Sequence, residues 1–127
     1  MSEPVWIGQR AIHAIHDRQI AEHGGLPGVR DEGLLQSALS RPENLYFYGD
    51  PKPDISDMAA AYGFGISKNH PFNDGNKRTA LIAIRLFLKL NGFDLTATGP
   101  EKFTMIVELA SSHIDESDLS SWIRGRI

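Results

Sequence analysis

The densest run of reactive side chains in the sequence is His-Pro-Phe-Asn-Asp-Gly-Asn-Lys-Arg at residues 70–78. It stands directly before a strongly apolar helical segment, and that position matters. The opening N–H groups of a helix have no internal partner, and the helix dipole places about half a positive charge there. Gly75 lacks a side chain, so a ligand can come close to that backbone. Lys77 and Arg78 fall in the first turn, where two cations oppose the dipole. The conflict is resolved if an anion, typically a phosphate, sits at the terminus. Asn76 can orient phosphate oxygens, and Arg78 can bind them bidentately. Asp74 is a hard oxygen ligand suited to a Mg²⁺ ion that keeps most of its waters and bridges phosphates. His70, whose ordinary pKa is about 6.5, can take a proton from an incoming hydroxyl near neutral pH. Pro71 restrains the adjoining backbone, and Phe72, apolar among polar neighbours, is expected to insert into the core and pin the loop. Taken singly, each residue has a structural reading: Asp74 or Asn73 as helix N-cap, His70 as a structural histidine, Lys77 and Arg78 as solvated cations. Together, at one helix start, they point to phosphate chemistry.

The elements that must position this run read as helices, because apolar residues recur at three- and four-residue steps rather than alternating. A first helix is expected over residues 8–23, with Ala11, Ile12, Ile15 and Ile20 near one face and Gly24-Gly25 as its stop. Asp31 is a candidate N-cap for a short second helix, with Leu34, Leu35, Ala38 and Leu39 inward and Pro42 at its end. Residues 42–53 then read as an irregular stretch, with Leu45 and Phe47 packed on the core and Tyr46 and Tyr48 open to either role, including contact with a partner. Asp54 should cap a third helix carrying Ile55, Met58, Ala59, Tyr62 and Ile66. Its Gly63 and Gly65 would let a neighbouring helix approach closely. Residues 76–90 are apolar almost all round, which predicts the buried central helix of the domain. Asn91-Gly92 ends it, and residues 93–98 read as a short extended piece. Pro100 is placed like a helix N1 proline before Phe103, Ile106, Val107 and Ala110, and Leu119, Trp122 and Ile123 mark a last short helix. The expectation is a compact all-α domain of about six helices around a buried central one, spanning residues 1–127.

Composition agrees. With 127 residues, 41% hydrophobic and 23% charged, the chain suits one globular domain. At that size folding buries roughly two-thirds of the surface of the unfolded chain. The sequence has no cysteine, which excludes a disulfide scaffold, Cys-ligated zinc, iron–sulfur clusters and thiol catalysis. Its 13 Lys+Arg against 16 Asp+Glu give a net charge of −3, which disfavours direct binding to nucleic acid by bulk charge. The sequence offers neither a basic, apolar leader nor a run near the ~20 apolar residues that span a bilayer. A cytoplasmic protein without membrane contact is therefore expected.

The run at 70–78 resembles the signature of the Fic/Doc family, H-x-F-x-[D/E]-G-N-G-R-x-x-R. His70, Phe72, Asp74, Gly75, Asn76 and Arg78 stand in the matching places. Lys77 replaces the second glycine of G-N-G-R and Leu81 the final arginine; both departures are similar to the death-on-curing (Doc) branch, which reads N-K-R-T-A-L there. The resemblance extends to His16-Asp17 with Ile20, the 24–28 turn, Arg41-Pro42-Glu43-Asn44-Leu45, and the stretch from Phe87 to Gly92. It implies a Fic fold and an ATP- and Mg²⁺-dependent transferase. Ordinary Fic enzymes move AMP onto a protein hydroxyl, whereas Doc toxins of type II toxin–antitoxin systems transfer the γ-phosphate, with elongation factor Tu as the family's target, and so stop translation. Carried over by position, His70 would be the general base and Asp74 the metal ligand. Phe72, Gly75, Asn76, Lys77 and Arg78 would form the nucleotide site. Lys77 fills space that a glycine would leave for phosphate, and Leu81 removes a clamp, so both changes favour the kinase reading. AMP transfer and a non-catalytic nucleotide- or antitoxin-binding module remain as alternatives.

Regulation follows from a missing pattern. Many Fic proteins carry an inhibitory [S/T]-x-x-x-E-[G/N] helix; here Glu43-Asn44 is its closest match, but Leu39 occupies the Ser/Thr place. Inhibition is therefore expected in trans, from an antitoxin whose disordered tail folds on binding. Other signals carry little. His13 and His16 have the spacing of a metal pair but lack further ligands, Gly63-x-Gly65 lacks the third glycine of a dinucleotide fingerprint, and no P-loop is present.

Overall fold

The computed structural model describes residues 2–127. Six helices follow in order: α1 (Gln9–His23), α2 (Glu32–Tyr48), α3 (Ile55–Asn69), α4 (Asn76–Leu90), α5 (Gly99–Ala110) and α6 (Glu116–Arg124). No strand forms among the described residues, and residues 93–98 run without regular structure. The all-α expectation is met.

A helix does occupy the centre, but it is α3 and not the apolar α4. Eleven of the fifteen α3 residues are buried, and α2, α4, α5 and α6 all pack on it. Small side chains explain the difference: Ala59, Ala60, Ala61, Gly63 and Gly65 keep α3 slim, so neighbours reach it from several sides. An added Cβ at Gly65 would lie 3.1 Å from Ala38 Cα of α2, and one at Gly63 would lie 2.5 Å from Ile84 Cδ1 of α4. Helix α4, by contrast, is one-sided. It buries Ala80, Ala83, Ile84, Phe87 and Leu88 but leaves Leu81, Ile82 and Leu86 half-buried and Leu90 exposed. Counting large apolar residues overstated its burial.

Pro42 does not end α2, which runs on to Tyr48 with Pro42 buried inside it. Proline removes the N–H that would bond to the carbonyl of Ala38. That carbonyl faces Gly65 of α3, where an added Cβ would sit 3.3 Å from it. The irregular stretch predicted over 42–53 is thus confined to the residues after Tyr48. The helix also overturns the packed reading of Phe47 and separates the two tyrosines, whose roles the sequence left open. Phe47 and Tyr48 are exposed, Leu45 is half-buried, and Tyr46 packs against the core with its ring edge-on to Trp6 at 5.8 Å.

Local signals set the helix ends. Asp31 accepts a hydrogen bond from Leu34 N–H, and capping boxes pair Asp54 with Asp57, Thr98 with Glu101, and Asp115 with Asp118. The chain before α1 is clipped down. Val5 exchanges two hydrogen bonds with the Asn91 side chain, Trp6 stacks on Phe87, and Ile7 N–H donates to the buried Tyr62 hydroxyl. Arg124 of α6 pairs with Asp54 and Asp57 and so fastens the last helix to the start of α3.

Candidate active site

The C-terminus of α3 aims the site. Its cap, His70, adopts the left-handed conformation (φ 51°, ψ 53°), a state uncommon outside glycine. Pro71 disfavours the helical region for the residue before it, so the helix must stop here. Arg30 secures the turn: its Nε donates to His70 C=O at 2.7 Å and its guanidinium NH₂ to Asn69 C=O at 2.8 Å. A cation at a helix C-terminus is also favoured by the dipole. The segment before α2 then runs alongside the reactive loop. Arg30 N–H donates to Pro71 C=O, and Asn73 N–H donates to Gly28 C=O, giving one antiparallel bridge between Val29 and Phe72.

Helix α1 supplies the other support. His16 is 1% exposed, stacks on Phe72 with ring centroids 3.9 Å apart, and meets Asp74 C=O through Nε2 at 2.7 Å. A carbonyl only accepts, so His16 carries hydrogen on Nε2. The buried face of α1 is Ile12, His16 and Gln19, whereas Ala11, expected there, is exposed. His16, Gln19 and Arg30 are the site residues that sequence reasoning missed. The three- and four-residue steps from Ile12 would have located the first two, while nothing local to Arg30 indicated its role.

Phe72 is fully buried against His16. Its side chain anchors the loop, as expected, and, against its expected place in the nucleotide site, does not line the cleft above the start of α4. Asn76 needs a similar revision. It is 4% exposed; its Oδ1 accepts from Phe72 N–H and its Nδ2 donates to Phe72 C=O, both at 3.0 Å. The second Nδ2 hydrogen faces His70 Nδ1 at 3.2 Å. Its amide is thus used within the loop rather than offered to phosphate.

Asp74 is exposed and aims its carboxylate at the 24–26 turn, where Oδ2 accepts from Leu26 N–H at 3.2 Å. Gly25 is required there, because at φ +116° an added Cβ would lie 2.9 Å from that oxygen. Among the described residues no three His, Cys, Asp or Glu side chains gather to hold a metal. Asp74 alone fits an octahedral Mg²⁺ that keeps its waters and shares phosphate oxygens, and it does not suit a metal held by protein only.

Helix α4 begins at Gly75 in the left-handed region (φ 74°, ψ 18°), with no side chain capping it. A left-handed residue followed by helical ones turns successive N–H groups into one concavity, an anion-binding nest. Lys77 and Arg78 are exposed beside it, and among the described residues no carboxylate pairs with either. A cleft of about 350 Å³ opens above, lined by His70, Asn73, Asp74, Gly75, Asn76, Lys77 and Arg78 from the loop and α4, with Gln19, Ile20 and His23 of α1, Gly24 at its end, and Phe103 of α5. The structure therefore brings an imidazole, one hard carboxylate, an uncapped helix start and two free cations to one opening.

No helix among the described residues is long and apolar enough to cross a membrane. The profile of the Fic/DOC family matches residues 6–88. The chain is similar to "Protein kinase doc" of Escherichia phage P1, with 33% identity over 118 residues, 93% of this chain and 92% of that protein. It is also similar to "Toxin Doc" of Mycolicibacterium smegmatis, with 45% identity over 74 residues, 58% of this chain and 57% of that protein. The match of the profile over more than half of the chain, together with the nearly full-length likeness to the phage protein, places this chain in the Fic/Doc family.

Proposed function

We propose that this protein is a Doc-like toxin kinase that moves the γ-phosphate of ATP to a protein hydroxyl. The observation that carries the proposal is the uncapped, αL-initiated start of α4, which shares one cleft with His70 and Asp74. The free N–H groups, Lys77 and Arg78 bind the phosphates. Asp74, supported by Leu26 N–H, holds Mg²⁺ through its carboxylate. When bound there, Mg²⁺ would supply charge neutralisation on the phosphate oxygens. His70, its carbonyl fixed by Arg30, takes the hydroxyl proton as general base. The hydroxyl oxygen forms the new bond to the γ-phosphorus, the bridge to the β-phosphate breaks, and ADP leaves.

Elongation factor Tu is the proposed target, so that phosphorylation halts translation in the cytoplasm. The relative named "Toxin Doc" supports a toxin role, and a toxin needs a neutralising partner: an antitoxin whose disordered tail folds on this domain. Isothermal titration with the product of the neighbouring gene tests this, and no binding at micromolar concentrations would count against it.

The reaction is tested by incubating the protein with elongation factor Tu and ATP labelled at either the α or the γ position. Label transferred from γ supports the kinase. Label from α means AMP transfer, and label from neither leaves a binding module. His70→Ala and Asp74→Ala should each abolish growth arrest on expression while circular dichroism stays that of the wild type.

A further inference from the structure

Gln19 is 8% exposed on the buried face of α1, yet neither its amide oxygen nor its NH₂ meets a hydrogen-bond partner among the described residues. Such an amide is available to a ligand without breaking a bond to the protein. Three other buried side chains, Ser56, Ser67 and Thr79, have hydroxyls that are both unpaired and sealed from solvent. The Gln19 amide is not sealed, and its residue lines the cleft above the start of α4. Phe103 of α5 lines the same cleft and is 46% exposed, an uncovered aromatic ring at the opening. Helix α1 packs on α4, and α5 packs on α3 and α4, so the two side chains reach the cleft from separate helices.

We propose that Gln19 and Phe103 form the nucleobase subsite of this cleft, Phe103 stacking on the base and the Gln19 amide hydrogen-bonding its edge. The division of labour follows from chemistry. The uncapped start of α4, Lys77 and Arg78 are matched to phosphate oxygens. An aromatic face stacks on any base. A glutamine amide presents a donor beside an acceptor, the complement of an adenine edge, where the N6 amino group donates and a ring nitrogen accepts. The inference rests on the reading of this cleft as a nucleotide site and adds to it the residues that hold the nucleoside end.

The test compares two probes by isothermal titration in the presence of Mg²⁺: ATP and inorganic tripolyphosphate, which has the phosphates but no base. Phe103→Ala and Gln19→Leu should each weaken ATP about tenfold, the usual effect of losing a stacking or base-edge contact. Neither should change tripolyphosphate binding, which also shows that both variants fold. Phe103→Tyr keeps the ring face and should keep the affinity for ATP. If the wild type binds ATP and both variants bind it equally well, the subsite is refuted while the nucleotide reading stands. If tripolyphosphate weakens as much as ATP, these residues act through the phosphate end or the fold, and the subsite is again refuted. If the wild type binds neither probe, the nucleotide reading fails and takes this inference with it.

Discussion

Removing the Asn76 side chain separates two roles that the sequence does not distinguish. As a phosphate ligand, Asn76 would matter only when nucleotide is bound. As the structure has it, Asn76 holds both backbone polar groups of Phe72, a residue with no exposed surface, through two hydrogen bonds of 3.0 Å. Asn76→Ala leaves a buried N–H and a buried C=O unpaired, each worth about 1–3 kcal/mol. Water entering from the adjoining cleft offsets part of this, so the net loss should be roughly 2–4 kcal/mol. For a domain of this size each kcal/mol moves the melting temperature by about 3 °C, which gives a fall of roughly 6–12 °C. The assay is thermal unfolding followed by circular dichroism with no nucleotide present. A variant that melts within about 2 °C of the wild type would refute the reasoning, because a clamp on buried backbone cannot be lost at so small a cost.

Other predictions follow from single contacts. Gly65→Ala should cost about 1–3 kcal/mol in chemical denaturation, because its Cβ would press on the Ala38 backbone from 3.1 Å. Gly25→Ala combines strain at φ +116° with a clash at Asp74 Oδ2, so it should raise the Mg²⁺ concentration needed for half-maximal transfer while leaving helicity intact. Burial pushes the Tyr62 hydroxyl up to about 12, with the Ile7 amide opposing and Glu43 adding to the shift. Because the folded value lies above the unfolded one, its contribution is complete below pH ~10 and is lost as pH rises toward 12, a decline of up to about 3 kcal/mol. Tyr62→Phe should flatten the alkaline limb of the stability profile, measured by denaturation between pH 9 and 12. At the other extreme, the Arg124 guanidinium holds the Asp54 carboxyl below its ordinary value, so Arg124→Ala should weaken the part of stability that disappears as pH falls below about 4.

Much of this architecture was legible in the sequence because its signals are local. Asp31 and Asp54 stand where N-caps belong, Gly24 and Asn91 where helices stop, and the first residue of α4 is the one that the pattern of residues 70–78 implies. The closeness expected at Gly63 and Gly65 is also observed. What escaped depends on tertiary contact. Pro42 reads as a stop, yet packing of α2 on α3 carries the helix through it. Periodicity weighs side-chain size and so promoted α4 over α3, although slimness rather than bulk puts a helix at the centre. In the site, residue types indicated the chemistry but not the division of labour. Asn76 has the chemistry of a phosphate ligand, and only its distances to Phe72 reveal a clamp. Arg30 and His16 support the loop from about forty and sixty residues away, a separation over which no spacing rule operates.

The central claim is that the open start of α4 grips a polyphosphate while His70 primes an acceptor hydroxyl. It is tested most directly by determining the structure of the protein with Mg²⁺ and a non-hydrolysable ATP analogue. The account predicts phosphate oxygens on the N–H groups that follow Gly75, Mg²⁺ on Asp74, and the γ-phosphorus within reach of a hydroxyl hydrogen-bonded to His70. Nucleotide bound elsewhere, with that imidazole turned away from it, would contradict the account.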